Sequence, residues 1–429
     1  MTIKLPMLNA DAKPDAEEPS RRGFLVNYPH FRHWRPEAAT AFAEPKPLNV
    51  YVHVPYCVQR CAYCFYKVTT LGDNRKAQID RYVDALCTEI ERVSERFHLR
   101  EQPVETIYFG GGTPTLLSKD NLSRVFDTLH RCLNIAEPEI TVEAEPVTLI
   151  QTKADHLQSL GVSRISMGIQ SFKDEIVSQT GRVDTEAHML RAIEIAMGTG
   201  AAVNIDLMSG LAGETDETWD YSVTRAIESG VHSLTVYKTE IYPNSSYYAG
   251  IKRNTLLLPT DDDELRYTKH AIERFEAAGY EAVNFFTFVK HKSYMQRHAT
   301  NSWRGGEIYG FGVSAFGMMH GTTLQNSSEI GRYIDHIEAG ELPLARGYQL
   351  SARERMTRDL ALGIKLLRFD RVEFRRRYGY DVMDVCGPTI SALAEEGYVE
   401  LLDDTLAMTR KGMLWGDYVG HNIVAAMEG

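Results

Sequence analysis

The sequence predicts an α/β fold: a partial (β/α)6 barrel followed by a C-terminal, mostly helical, winged-helix-like domain. Three observations predict it. Between Leu48 and about residue 241, six short runs rich in β-branched and aromatic residues alternate with longer runs whose apolar residues recur at helical spacing. The alternation weakens after about residue 290. Residues 350–429 then read as helices followed by a short hairpin.

The strands are predicted at 48–54, 106–111, 139–146, 164–171, 203–210 and 233–241, with amphipathic helices at 79–93, 119–133 and 215–230. Such alternation implies parallel strands joined by crossover helices. Six units make a partial barrel rather than a closed eight-stranded one. The chain divides into a polar and aromatic extension (1–45), the barrel (46–290), a barrel extension and connector (291–349) and the C-terminal domain (350–429). In that last part the helical run ARERMTRDLALGIKLL and a second helical stretch precede a hairpin around Asp403 and Asp404. A helical cap packed on the barrel suits it better than a DNA-binding role. The first twenty residues read as disordered. Asn27 to Trp34 (NYPHFRHW) is aromatic enough to pack, and its place before the first strand suggests that it lies over the barrel mouth.

Of 429 residues, 43% are hydrophobic and 24% charged, the balance of a soluble globular protein. A net charge of −11 makes nucleic acid an unsuitable partner. No stretch reaches the roughly 18 apolar residues of a membrane span, and the N-terminus has no apolar signal-peptide core. The expected location is the cytoplasm. Three of the six cysteines fall within eight residues, which suits metal ligands in a reducing compartment rather than a disulfide framework. Cys87, Cys132 and Cys386 lie in helical patterns and read as ordinary thiols.

The strongest signal is YVHVPYCVQRCAYCFY, in which Cys57, Cys61 and Cys64 follow a strand with C-x3-C-x2-C spacing. Thiolates suit iron–sulfur clusters and zinc. Structural zinc wants four ligands, so a zinc reading needs a distant residue such as His53 to complete the set. A [4Fe–4S] cubane held by three cysteines keeps one iron open. That iron can chelate the amino and carboxylate groups of S-adenosylmethionine (SAM), and one electron from the cluster then splits a sulfur–carbon bond to release a 5′-deoxyadenosyl radical.

Further segments follow in order: YFGGGTPTLL, EITVEAEP, RISMGIQSF, TGR, NIDLMSGLAGET and GFGVSAFG. With the cysteine motif, they make residues 48–420 resemble the radical SAM enzymes of the oxygen-independent coproporphyrinogen III oxidase (HemN-like) group. The resemblance implies a [4Fe–4S] cluster on Cys57, Cys61 and Cys64, with SAM held on it by Tyr51, Gly111 and Glu143. It also implies a second SAM contacted by Tyr63, Gly112, Thr113, Gln170, Arg182 and Asp206, with Phe316 of the late glycine segment pressing on an adenine. The plainer alternatives are a tight turn for the glycines, a surface carboxylate for Glu143, a surface ion pair for Arg182 and packing alone for Phe316.

The chain departs from the oxidases at two places. They carry a cysteine two positions after the third ligand, where this chain has Tyr66, and Glu240 stands where they have a small apolar residue. The haem-chaperone branch has a His-Asn-x-x-Tyr-Trp signature that His298-Ala-Thr-Asn-Ser-Trp303 matches only in part. These departures lead to the expectation of a third branch, the class C methyltransferases and cyclopropanases. The expected substrate is then an unsaturated small molecule such as a quinone or a heteroaromatic precursor, with flavodoxin or ferredoxin as electron donor. A tetrapyrrole-modifying enzyme, coproporphyrinogen III oxidase or a haem chaperone are the alternatives. Glu240, Tyr237, His291 and His298 are proton-acceptor candidates by position only.

Overall fold

The computed structural model describes residues 28–34, 47–72 and 74–428; the expected disorder of the first twenty residues lies outside them. All six predicted strands are present: β1 (Leu48–Val54), β2 (Pro103–Gly111), β3 (Asn134–Ala144), β4 (Arg164–Gln170), β5 (Ala202–Ser209) and β6 (Ser233–Lys238). They pair in parallel, each with the next in sequence. A further strand, β7 (Glu307–Phe311), joins in parallel on the free side of β1. Three antiparallel strands continue from it: β8 (Phe316–Met319), β9 (Thr322–Asn326) and β10 (Leu344–Gln349). Two short strands at 281–282 and 287–289 close the other edge, giving a sheet of 12 strands.

The parallel sheet has two faces of different chemistry. On β1, Leu48, Val50, Val52 and Val54 are fully buried against the helices, while the alternate residues Asn49, Tyr51 and His53 point inward, as a period of two requires. The same inward positions on the other strands carry Thr106 and Tyr108, Thr141 and Glu143, Ser166 and Gln170, Asn204 and Asp206, and Thr235 and Tyr237. The barrel interior is therefore polar and aromatic, and its outer face aliphatic.

The covering helices form where caps and apolar stripes coincide. Helix α1 (Arg75–Arg96) buries Ile79, Val83, Leu86, Ile90 and Val93. In α2 (Lys119–Cys132) the Ser118 hydroxyl accepts from the Asn121 amide, and Phe126 stacks on Phe109 of β2 with centroids 4.8 Å apart. Thr215 and Thr218 form a capping box at the start of the helix Asp216–Glu228.

Beyond β10, helices Ala352–Gly363, Arg371–Tyr378 and Val382–Glu395 pack with a three-stranded antiparallel sheet whose hairpin, Val399–Leu401 and Thr405–Met408, turns at 402–404. This is the winged-helix-like pattern. Among the described residues, no helix is long and apolar enough to cross a membrane.

Residues Tyr28–Trp34 pack on the strands that follow β7. Phe31 meets Phe316 edge-on with centroids at 6.1 Å, Arg346 covers the Phe31 ring, and His33 faces Tyr348. Tyr28 and Trp34 are buried.

Candidate functional site

The cysteine loop hangs from the C-terminal end of β1. Tyr56 and Cys57 form a two-residue strand paired with Thr69 and Thr70, which ties both ends of the loop together. Three hydrogen bonds stitch its tip to the barrel mouth: Ala62 N–H to Thr180 carbonyl (2.8 Å), Tyr247 N–H to Ala62 carbonyl (3.0 Å) and Asn244 side-chain amide to Phe65 carbonyl (2.8 Å). The glycine segment after β2 supplies two more, Gly112 N–H to Val54 carbonyl and Thr113 N–H to Tyr56 carbonyl, both 2.7 Å. Gly112 must be glycine for this reason: a Cβ there would lie 2.5 Å from the Tyr56 carbonyl oxygen and 2.8 Å from that of Val54. At Gly111 the backbone is left-handed (φ 107°), and a Cβ would meet the His53 ring.

Cys57, Cys61 and Cys64 are free thiols. Burial pushes Cys57 up to about 12 and Cys64 to about 11, so both stay protonated until a metal displaces the proton. Among the described residues, no three His, Cys, Asp or Glu side chains surround one point as a single ion requires. His53 Nδ1 is hydrogen-bonded to the Tyr51 hydroxyl at 3.1 Å.

Inside the mouth, Glu143 is held by two donors: the Tyr108 hydroxyl at 2.6 Å and the Gly111 amide at 3.1 Å. Burial raises its pKa above the usual carboxylate range, and those two bonds oppose the rise. Asp206 accepts from Asn204 at 2.8 Å and from Ser166 at 3.5 Å; burial, then repulsion from Glu143, pushes it to about 7.

Arg182 is buried, not a surface residue. It donates to Asp184 at 2.9 Å and to the Gly168 carbonyl at 2.9 Å, with Glu145 at 3.7 Å, and its charge reaches Cys61 and Tyr63. Gln170 has positive φ (69°) and a buried Oε1 with no protein partner. The buried Thr113 hydroxyl and His53 Nε2 are also left without protein acceptors or donors. Phe316, 38% exposed, lies on β8 with its ring against Phe31. Of the proton-acceptor candidates, Glu240 pairs with Lys238 at 3.5 Å, and His291 is exposed and bonded to Ser293. His298, on the short helix Arg297–Trp303, is buried with its ring 2.7 Å from the Thr106 hydroxyl.

These residues fit an iron–sulfur cubane with SAM. Three uncrosslinked sulfurs sit on one pinned loop, a glycine cradle abuts it, and unpartnered buried polar atoms lie at the C-terminal ends of β1, β2 and β4.

Sequence reasoning missed Glu89 on α1. It is fully buried and accepts from the Gly312 amide (2.7 Å), the Asn326 side chain (2.7 Å) and the Tyr333 hydroxyl (2.5 Å). The signal was present: Glu89 sits on the apolar stripe of α1, between Leu86 and Val93.

Fold and site together define a radical SAM protein. The chain belongs to the radical SAM superfamily, whose profile matches residues 51–226, and the HemN C-terminal domain profile matches 350–415. It uses a [4Fe–4S] cluster and SAM. It is 27% identical over 375 residues to the heme chaperone HemW of Bacillus subtilis, covering 86% of this chain and 97% of that one. It is 33% identical over 275 residues to HemW of Escherichia coli (63% and 70% covered). It is also 28% identical over 396 residues to the oxygen-independent coproporphyrinogen III oxidase of Salmonella typhimurium (88% and 85%). Among solved structures, the Escherichia coli coproporphyrinogen III oxidase HemN superposes with a TM-score of 0.81 at 23% identity, over 92% of this chain and 96% of that one, and so shares the fold.

These relatives overturn the expectation of a class C methyltransferase or cyclopropanase. They are named for haem and coproporphyrinogen, not for carbon transfer. The physical reason for the error is that Tyr66 and Glu240 are evidence against one chemistry; neither residue supplies a methyl acceptor site.

Proposed function

We propose that this chain is a haem chaperone that holds a tetrapyrrole beside its cluster and SAM. The observation that carries the reading is the span of the similarity: it runs through the barrel and the C-terminal domain of chaperones named HemW, to 97% of the Bacillus subtilis protein. Tyr66 separates this reading from the oxidase one, because the resemblance puts a cysteine there in the porphyrinogen oxidases.

In this reading Cys57, Cys61 and Cys64 ligate the cluster. Tyr51, Gly111 and Glu143 hold the SAM on it. Tyr63, Gly112, Thr113, Gln170, Arg182, Asp206 and Phe316 line a second SAM position. The Glu143 carboxylate suits an ammonium group, and Arg182 suits a carboxylate through its planar fork. When bound, the cluster and SAM supply one-electron cleavage of a sulfonium. A flavodoxin or ferredoxin serves as electron donor.

The test is to titrate hemin into the reconstituted protein and, separately, to supply coproporphyrinogen III with SAM and reductant. Saturable hemin binding without carbon dioxide release is the expected result. Carbon dioxide from the porphyrinogen would establish the oxidase instead.

A further inference from the structure

Beside the cluster loop lies a stack of three aromatic rings that the cofactor assignments leave unused. Phe65 stacks on Tyr66 with centroids 4.4 Å apart and planes 25° apart, and meets the Tyr242 ring in a tilted contact at 4.2 Å and 32°. The stack is anchored at both ends of its backbone. The Asn244 side chain donates to the Phe65 carbonyl at 2.8 Å, and Arg60 bridges the Asn244 and Cys64 carbonyls. The Tyr66 amide also points at the Cys64 sulfur.

The outermost ring is half-exposed, with its hydroxyl buried towards the barrel interior. Tyr66 is 51% exposed, one of the exposed large hydrophobic side chains among the described residues. Its hydroxyl lies within electrostatic reach of Glu143 and Asp206, so the ring extends from the cysteine loop towards the barrel mouth. Two rings behind it hold this half-exposed aromatic face in place. It offers a flat ligand a preorganised stacking partner.

The neighbouring cleft between β6 and the C-terminal helices, lined by Val236, Phe285, Phe286, Trp415 and Tyr418, has about 50 Å³ of space. Pockets that enclose a small molecule run to roughly 300–1,000 Å³. That cleft does not admit a macrocycle; the open stack does not need to enclose one.

We propose that Tyr66, backed by Phe65 and Tyr242, is the platform on which the flat face of a conjugated tetrapyrrole stacks, next to the Cys64 corner of the cluster. The proposal rests on the haem reading above. It makes Tyr66 a specificity-determining residue, in which an aromatic face stands where the oxidases carry a sulfur.

The experiment compares hemin titrations of the full chain, rebuilt with iron and sulfide, for the wild type and for Tyr66→Phe, Tyr66→Ala and Tyr242→Ala. Iron content and SAM binding are measured alongside. Tyr66→Phe is expected to keep the wild-type affinity. Tyr66→Ala is expected to weaken hemin binding roughly three- to tenfold, the scale of one lost aromatic contact, and Tyr242→Ala, which removes a supporting ring, to weaken it by about twofold, with iron and SAM binding unchanged. If Tyr66→Ala loses iron, Tyr242→Ala, far from the cysteines in sequence, decides the matter. Unchanged hemin affinity in the alanine variants would overturn the platform and leave the haem reading standing. Absence of hemin binding by the wild type would overturn both.

Discussion

Glu89 and Gly312 are joined across the sheet: the carboxylate of Glu89, on α1, accepts the Gly312 amide at 2.7 Å where the chain turns after β7. Gly312 has left-handed φ (97°), and a Cβ there would meet the Tyr82 hydroxyl at 2.5 Å. The same helix thus supplies the acceptor that holds the turn and the side chain that excludes any larger residue from it.

Removing that acceptor should be expensive. Glu89→Ala leaves the Gly312 amide, the Asn326 side chain and the Tyr333 hydroxyl without their shared partner, at about 1 kcal/mol each, so about 3 kcal/mol in all. Glu89→Gln keeps the shape and one good acceptor and should cost less. Urea unfolding of the three proteins checks the order; equal midpoints for wild type and Glu89→Ala would refute it.

His298 gives a pH dependence with a definite sign. Burial lowers it from 6.5 to about 3, so between those values the unfolded chain binds a proton that the folded chain refuses. Stability attributable to this group is fully present above pH 6.5 and is lost as pH falls towards 3. From pH 6.5 to 5 the loss is roughly 2 kcal/mol, at 1.36 kcal/mol for each pH unit. His298→Asn, whose side-chain amide can still donate to the Thr106 hydroxyl oxygen, should flatten that part of the curve. Parallel stability–pH curves for the two proteins would show that His298 is not the source.

Arg182 is expected to matter for folding as well as for any ligand. Arg182→Ala leaves Asp184 buried beside Glu145 with no cation, a change that costs about 3–5 kcal/mol when one partner of a buried pair is removed. Arg182→Ala combined with Asp184→Asn should recover part of the loss. The measurement is the thermal midpoint of the cluster-free chain, where SAM cannot contribute. If the double variant is no more stable than the single one, the pair is not the cause.

Much of this architecture was legible along the chain because it is local. Leu48, Val50, Val52 and Val54 alternate with Asn49, Tyr51 and His53, which announces both a strand and two chemically different faces. The C-x3-C-x2-C spacing marks the cysteine loop in the same way. The rest depends on pairings between distant segments. The strand β7 lies against β1 although some 250 residues separate them, at a register of Leu48 opposite Glu307. Its sequence, EIYGF, has the length of many loops, and the helix before it (Arg297–Trp303) has only seven residues. The Tyr66–Phe65–Tyr242 stack and the contact of Phe31 with Phe316 join segments in the same manner. Function was least legible: Tyr66 and Glu240 argue against one reaction, and elimination led to a carbon-transfer reading that the relatives overturn.

The third glycine of the GGGT segment offers a test that separates the cluster loop from the barrel. Gly112 has ordinary φ, so alanine there is not strained in itself; the difficulty is the carbonyl oxygens of Tyr56 and Val54, which occupy the place of its Cβ. Both oxygens belong to backbone and cannot rotate away. To admit the methyl, the Tyr56–Cys57 strand must shift, breaking the Gly112–Val54 and Thr113–Tyr56 hydrogen bonds and moving Cys57, the first cluster ligand in the proposed reading. Gly112→Ala is therefore expected to lower the iron and sulfide retained after reconstitution by more than half, a loss of the scale that breaking one or two buried hydrogen bonds of about 1 kcal/mol each would give. Gly72→Ala is the control, since a Cβ at Gly72 meets nothing within 4 Å. Iron assay and the cluster's absorbance report occupancy, and far-ultraviolet circular dichroism reports the barrel. Full cluster content in Gly112→Ala would show that the glycine is not what seats the cysteine loop.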